Sequence, residues 1–263
     1  QPDADRRLGH LSDSNLSQPL SDNWFIRADG LKLAYRKAEG AGPTFAFLPG
    51  YMSDMAGGKA TAVFDWAVAN GRACLLLDYA GCGESEGDFA TQTLTGWRDD
   101  VLAMIDGLTD GPVVLIGSSM GGWLMLLVGE ALGDRLAGMI GIAPAPDFTR
   151  WGFTDVQREA ILTKGVHFEH NPYGPEPTPT YKGLYESGEA SLMLDREIAI
   201  DGPVRLLHGQ ADADVPWKTS LKLASALRSN DVRVTLIKDG DHRLSRDADI
   251  ALLLSTVAEV AGC

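Results

Sequence analysis

The sequence predicts an α/β protein whose mostly parallel, doubly wound sheet carries a small inserted cap. The first observation is a series of short, nearly continuous apolar runs, which suit strands buried on both faces of a parallel sheet. The second is that amphipathic helical patterns separate these runs, since alternating strands and helices build a doubly wound sheet. The runs occupy residues 44–48, 73–78, 113–117, 136–143 and 204–208.

The chain begins with a polar, aperiodic stretch, residues 1–21, which we expect to form a loose N-terminal arm. An antiparallel hairpin is predicted next. Residues 31–36 alternate large apolar side chains with small or charged ones, as in a half-buried strand. Asp29 and Gly30 form a hairpin turn before this strand, so residues 23–28 would be its partner.

Two later segments have clear helical faces. Apolar residues recur at helical spacing over residues 94–108 and again over residues 250–260. A last strand with alternating pattern, residues 232–236, precedes the second of these helices. The alternation of strand and helix therefore continues to the end of the chain.

One segment, residues 145–200, interrupts this alternation. It holds two weaker helical patterns on either side of a proline-rich stretch, residues 171–179. We expect this segment to be a cap inserted into a core that residues 22–144 and 201–263 form together.

Composition excludes several classes of partner. The chain has 263 residues, enough for one large core, and a formal charge of −13. That charge argues against nucleic acid and anionic membrane surfaces, which need a basic face. No apolar run reaches the about 18 residues that a membrane span needs, so we expect no stable membrane insertion.

Three cysteines without a disulfide framework, and no signal-peptide core, predict a cytoplasmic protein. The oligomeric state stays open.

A nucleophile motif stands between a predicted strand and a predicted helix. Gly117-Ser118-Ser119-Met120-Gly121 reads G-x-S-x-G, which by itself is a weak signal. Its context is specific, because the motif follows an apolar strand and opens a helix, as in a nucleophile elbow. Such a turn exposes the hydroxyl of Ser119 at the end of the sheet. The alternative is a tight turn that happens to contain a serine.

A serine hydroxyl needs a base, and the base needs an orienting acid. With a nucleophile elbow, the chain order is Ser, then Asp or Glu, then His. His242 is the one histidine after position 208 and lies in a loop after the last strand. The acid should follow the preceding strand, where Asp212 and Asp214 compete; the H-G-x-x-D-x-x-V-P spacing favours Asp212. His208 is interpreted as a structural residue bonded to backbone.

An oxyanion site requires preorganised N–H donors. The first expected donor is the backbone N–H of Met120, which follows the nucleophile. The second should come from the loop after the strand at 44–48, where the N–H of Tyr51 is the candidate. Only main chain is needed at both positions.

Other chemistry-bearing residues form weaker patterns. Cys82 in the glycine-rich turn 78–85 could be a thiol nucleophile, but no motif surrounds it, so we interpret the turn as structural. His167 and His170 have no metal-ligand spacing with other residues, so no metal is predicted. Aromatic residues in the cap could line an acyl pocket or simply pack the cap onto the core. They are Trp151, Phe153, Phe168, Tyr173, Tyr181 and Tyr185.

The motifs together resemble the α/β-hydrolase superfamily over roughly residues 22–261. The likeness is greatest to a mitochondrial subfamily of acyl-glucuronide esterases and palmitoyl-protein thioesterases, and it is loose across 145–200. The resemblance implies an α/β-hydrolase fold and a serine hydrolase that cleaves small-molecule acyl esters or thioesters without a cofactor. The segments that carry it are residues 48–53, 58–60, 117–126, 205–209, 215–217 and 241–243.

Two alternatives stay open. The same Ser119, Asp212 and His242 could serve a peptidase or an acyltransferase. A non-catalytic binding protein on this fold would usually have lost one of the three residues, and this chain keeps all of them.

Overall fold

The computed structural model describes residues 23–262, so the predicted arm at residues 1–21 lies outside the described part of the chain. Within that part, eight strands form one sheet in the order β1-β2-β4-β3-β5-β6-β9-β10, and β7 pairs with β8 in a separate hairpin. The strands are β1 (Asn23–Ile26), β2 (Lys32–Ala38), β3 (Ala41–Leu48), β4 (Arg72–Leu77), β5 (Val113–Ser118), β6 (Leu136–Ile142), β7 (Val166–Glu169), β8 (Thr178–Tyr181), β9 (Val204–Gly209) and β10 (Val232–Ile237).

Helices connect the parallel strands. β1 and β2 are antiparallel to their neighbours, and every other pairing in the large sheet is parallel. No helix within residues 23–262 has the length and apolar character needed to cross a membrane. The helices are α1 (Gly58–Ala69), α2 (Leu94–Leu108), α3 (Met120–Leu132), α4 (Phe148–Trp151), α5 (Asp155–Lys164), α6 (Lys182–Glu189), α7 (Lys218–Ala226) and α8 (Asp247–Val260).

Apolar side chains cover both faces of the sheet, which explains the continuous apolar runs. Successive residues of a strand point to opposite faces. Leu115 of β5 therefore joins the core under α2 and α3, where Trp97 and Trp123 are buried. Ile116, the next residue, joins the core under α1 and α8. The two cores hold the parallel strands with their carboxyl ends at one edge of the sheet.

The predicted strands and the two helices predicted over residues 94–108 and 250–260 all occur in the structure. α1 and α7 were not predicted as helices. In the 145–200 segment the two helical patterns correspond to α5 and α6, and α4 precedes them. The hairpin β7–β8 flanks the proline-rich stretch and was also missed, because its strands have only four residues each.

The 145–200 segment lies between β6 and β9 in the chain and contacts the body through side chains. Ser187 of α6 accepts a hydrogen bond from the N–H of Thr95 at 3.1 Å, which joins α6 to the start of α2. Within the segment, the carboxylate of Asp147 accepts hydrogen bonds from the N–H groups of Met193 and Leu194, both at 2.9 Å. The Asp147 bonds therefore tie the beginning of the segment to a part near its end, and the Thr95 bond ties α6 to α2.

Candidate active site

Ser119 occupies the sharp turn between β5 and α3. Its φ of 54° and ψ of −120° lie in a region that residues with a side chain rarely adopt. Its N–H donates to the carbonyl of Ile142 at 2.9 Å, which ties the turn to β6. A Cβ on Gly117 would lie 2.3 Å from the carbonyl oxygen of Gly121, and one on Gly121 would lie 2.1 Å from that of Leu48. The strained turn therefore requires glycine at both positions.

Three side chains that are distant in sequence meet at this turn. His242 lies in the loop after β10 and Asp212 in the loop after β9. Nε2 of His242 is 3.0 Å from Oγ of Ser119, and Nδ1 of His242 is 2.8 Å from Oδ2 of Asp212. The structure thus brings the predicted hydroxyl, imidazole and carboxylate into one chain of hydrogen bonds.

The carboxylate of Asp212 is buried and held on both oxygens. Oδ1 accepts from the N–H of Val215 at 2.8 Å and from that of Asp214 at 2.9 Å. Burial alone would raise the pKa of Asp212, but hydrogen bonds to His208 and His242, together with main-chain donors, lower it well below its usual range. Asp212 is therefore ionised at neutral pH.

Asp214, the competing carboxylate, has a different partner. It is exposed and accepts a hydrogen bond from the hydroxyl of Tyr173 in the proline-rich stretch. The guanidinium of Arg243 lies 5.5 Å from the centre of the Tyr173 ring. Asp214 and Arg243 thus hold the proline-rich stretch over the site, while Asp212 bonds to His242.

His208 makes more contacts than the sequence indicated. Its Nε2 is 3.1 Å from the carbonyl of Val215, which agrees with the predicted bond to backbone. Its Nδ1 is 2.7 Å from Oγ of Ser220, and its Nε2 is 3.2 Å from Oδ2 of Asp212. The four-residue spacing from His208 to Asp212 is a sequence signal for the contact between these two side chains. Nothing in the sequence singles out Ser220.

The loop predicted to carry an oxyanion donor packs directly on the elbow. A Cβ on Gly50 would lie 3.3 Å from Cβ of Ser119, so the main chain before Tyr51 approaches the hydroxyl closely. The buried hydroxyl of Tyr79 donates to the carbonyl of Pro49 at 2.9 Å and fixes the start of the loop. Tyr51 and Met120 therefore belong to two main-chain segments that adjoin Ser119.

The hydroxyl of Tyr51 makes a contact that the sequence did not indicate. Its hydroxyl donates to the carbonyl of Pro179 in β8 at 2.6 Å. Its ring packs near those of Phe89, Trp97 and Phe148, at centroid distances of 5.3, 6.0 and 6.4 Å. Burial raises the pKa of this hydroxyl, so it stays protonated as a donor. Tyr51 thus joins the loop after β3 to the 145–200 segment.

A cavity of about 840 Å³ adjoins Ser119 and His242. Of the six aromatic residues for which pocket lining and packing were both open, three line it, namely Trp151, Phe153 and Tyr173. The other three lie elsewhere: Phe168 is exposed, Tyr181 packs on Phe89, and Tyr185 packs on Phe153. Further apolar lining comes from Met52, Met120, Phe148, Val215 and Ile250.

The glycine-rich turn after β4 is held by internal bonds. Asp78 accepts from the N–H of Met55 at 2.7 Å and from that of Glu84 at 3.0 Å, and burial raises its pKa to about 6. Cys82 is buried there, and burial raises the pKa of its thiol to about 12. A thiol in that state is a poor nucleophile, which argues against Cys82 as the reactive group.

One group of potential metal ligands occurs among the described residues. Donor atoms of Asp212, Asp214 and His242 lie within 4.8 Å of one another. Both ring nitrogens of His242 and both oxygens of Asp212 are engaged in the hydrogen bonds described above. His167 and His170 do not belong to this group. The arrangement thus suits proton transfer from Ser119.

Comparison with known proteins identifies the family. A model of the alpha/beta hydrolase family matches residues 45–259. The chain belongs to this family. Palmitoyl-protein thioesterase ABHD10, mitochondrial, of Homo sapiens is 39% identical over 247 residues, which cover 92% of this chain and 81% of the relative. The same enzyme of Mus musculus is 39% identical over 249 residues, covering 92% and 83%.

Solved structures of α/β hydrolases agree with this assignment. Alpha/beta hydrolase domain-containing protein 10 from mouse superposes with a TM-score of 0.85 at 37% identity, over 90% of this chain and 97% of that one. A putative hydrolase from Agrobacterium vitis S4 has a TM-score of 0.85 at 36% identity, over 90% and 96%. These matches confirm the predicted α/β-hydrolase fold and a hydrolase of the esterase and thioesterase type.

One expectation is wrong. The sequence predicted a cytoplasmic protein from its sparse cysteines and missing signal core. The curated relatives from human and mouse are named as mitochondrial proteins, which contradicts that localisation. Sparse cysteines indicate a reducing environment, but they do not distinguish one reducing compartment from another, so they could not identify the location of the protein.

Proposed function

We propose that this α/β hydrolase cleaves carboxylic esters or thioesters through an acyl-enzyme on Ser119. His242 acts as general base and acid, and Asp212 orients it. The observation that carries the proposal is the chain of hydrogen bonds from Oγ of Ser119 through His242 to Oδ2 of Asp212, at 3.0 and 2.8 Å.

In the first step Oγ of Ser119 attacks the acyl carbon while Nε2 of His242 takes the hydroxyl proton. Asp212 accepts the Nδ1–H bond throughout, which fixes the tautomer in which Nε2 is free to take the proton. Its charge stabilises the imidazolium that forms, and the low pKa of Asp212 keeps that proton on the ring.

The tetrahedral intermediate carries negative charge on the former carbonyl oxygen. We assign its stabilisation to the backbone N–H groups of Tyr51 and Met120. Met120 is the first residue of α3, so the positive end of the helix dipole lies near the same oxygen. The close packing of Gly50 on Ser119 supports this assignment, because it holds the Tyr51 loop against the nucleophile.

In the second half His242 returns its proton to the leaving alkoxide or thiolate as the C–O or C–S bond breaks. Water then attacks the acyl-enzyme while Nε2 of His242 takes a proton from it. The ester bond to Ser119 breaks, and His242 returns that proton to Oγ. The net reaction adds one water and yields a carboxylic acid and an alcohol or thiol.

The cavity supports a substrate with an apolar acyl group. Phe148, Trp151 and Phe153 line it on the side of the 145–200 segment. We therefore propose that residues 145–200 act as a cap that shapes the acyl site, inserted in a core of residues 22–144 and 201–263. The relatives named as palmitoyl-protein thioesterases support thioesters as one substrate class.

Steady-state kinetics on three matched substrates test the proposal. Each carries the same acyl group, as a nitrophenyl ester, an alkyl thioester or an anilide. We expect turnover of the ester and the thioester and slow or absent turnover of the anilide. Ser119→Ala should abolish turnover, whereas Ser118→Ala, a serine substitution one residue away, should not.

Two results contradict the proposal. Preferred cleavage of the anilide would make the protein a peptidase-type enzyme on the same three residues. Turnover of no substrate by a folded wild-type protein would favour a binding protein.

A further inference from the structure

His208 is the fifth residue of β9 and is buried beside the acid of the site. It lies on a strand that pairs with β6 on one side and β10 on the other, and it is 0% exposed. Both nitrogens have partners. Nδ1 is 2.7 Å from Oγ of Ser220, and Nε2 faces both the carbonyl of Val215 at 3.1 Å and Oδ2 of Asp212 at 3.2 Å.

The partners of His208 determine where its proton lies. A carbonyl and a carboxylate only accept hydrogen bonds, so Nε2 between them must carry a proton. In a neutral ring Nδ1 is then an acceptor, and the hydroxyl of Ser220 is the donor that fits it. The buried Ser220 therefore fixes the tautomer in which Nε2–H donates to the carbonyl of Val215, with Oδ2 of Asp212 3.2 Å from the same nitrogen.

His208 contacts the carboxylate oxygen of Asp212 that also faces His242. Two main-chain N–H groups anchor Oδ1. Oδ2 is the oxygen that must orient His242, and it accepts from that ring at 2.8 Å. Among the polar contacts of residues 23–262, Oδ2 would without His208 keep only its bond to the loop histidine that it has to position. His208, on a strand of the central sheet, places the protonated Nε2 at 3.2 Å from Oδ2 as a second polar contact.

We propose that His208, with its tautomer set by Ser220, is a positioning residue that holds Oδ2 of Asp212 in line with His242. This inference rests on the proposed function, since it concerns how the acid of that site is oriented. His208 does not touch the reacting atoms; it acts through Asp212.

A matched pair of substitutions separates positioning from packing. The side-chain amide of His208→Gln can place a donor near the position of Nε2, whereas the shorter amide of His208→Asn reaches only the position of Nδ1. The assay is hydrolysis of a short-chain nitrophenyl ester, with kcat, KM and Tm measured for each protein.

We expect His208→Asn to lower kcat by about 10- to 100-fold and to leave KM within about threefold of the wild type. His208→Gln should restore most of the lost kcat. Wild-type rates in both variants would overturn the proposal. Equal losses of kcat in both would also overturn it, because the donor near Nε2 would then have no effect.

A second pair covers the case in which His208→Asn does not fold. Ser220→Ala removes the donor that sets the tautomer, and we expect kcat to fall by about 10-fold. Ser225→Ala is its control in the same helix, where the hydroxyl bonds to the carbonyl of Leu221 at 3.1 Å. Equal kcat in the two variants would overturn the proposal. If the Ser119→Ala variant kept the kcat of the wild type, the proposed function itself would be overturned.

Discussion

The elbow permits one substitution whose effect on both stability and rate follows from the structure. In Gly121→Ala the new methyl would lie 2.1 Å from the carbonyl oxygen of Leu48 and 2.6 Å from that of Pro49. Reaching an ordinary contact of 3.4 Å requires β3 and α3 to separate by about 1.3 Å. Alanine would gain about 1 kcal/mol in helix propensity, while overpacking against main chain costs about 3 kcal/mol. The net loss of about 2 kcal/mol predicts a Tm lower by about 4–8 °C.

The same displacement should affect the chemistry. Leu48 and Pro49 lead directly to Tyr51, so a shift of about 1 Å would move the assigned oxyanion donor and lower kcat by about 100-fold. The assay is thermal unfolding together with hydrolysis of a nitrophenyl ester. Gly183→Ala in α6 is the control, because its methyl would be 3.6 Å from Cγ2 of Thr93, an ordinary contact. It should keep wild-type kcat and gain a little stability. Unchanged Tm and kcat in Gly121→Ala would contradict the expected separation of β3 and α3.

Four other predictions follow from the contacts of single residues. Asp212→Asn removes the charge that orients His242, so kcat should fall by about 10³- to 10⁴-fold with KM little changed; a loss under about tenfold contradicts its role. Tyr51→Phe removes the 2.6 Å bond to β8 and should cost about 1 kcal/mol. Hydrogen–deuterium exchange in β8 should then be faster than in wild type, and equal exchange would contradict the link. Cys82, with a pKa of about 12, should resist iodoacetamide at mildly alkaline pH until urea unfolds the protein, and rapid alkylation of the native state would contradict its burial. The folded pKa of Asp78, about 6, lies above its ordinary value of 3.8, so the folded state binds more protons between these values. Its contribution to the free energy of unfolding should therefore fall as pH rises from about 4 to about 6, and Asp78→Asn should flatten this slope in urea titrations; an unchanged slope would contradict it.

The sequence predicted the parallel sheet well because its signals are local. Strands buried on both faces need continuous apolar residues, and α2 and α8 need one apolar face, so both patterns are visible within a few residues. α1 was missed because its apolar residues include small alanines that form a weak stripe. The short strands β7 and β8 were missed because four residues give too little alternation to recognise.

The site, like the fold, has parts that the sequence predicted and parts that it did not. The positions of Ser119, Asp212 and His242 could be proposed from motif and chain order, because each follows a strand end. The contact between Tyr51 and Pro179 could not, since it depends on where the 145–200 segment packs across the body. The same holds for Ser220, which reaches His208 only because α7 packs beside β9. Tertiary contacts of this kind produce no periodic pattern in the sequence.

Covalent labelling with a fluorophosphonate, followed by intact mass measurement and peptide mapping, tests directly whether Ser119 is the nucleophile. We expect one adduct per chain, on Ser119, whose formation slows strongly in His242→Ala and is absent in Ser119→Ala. An adduct on another residue, or a folded wild-type protein that takes up no label, would contradict this expectation.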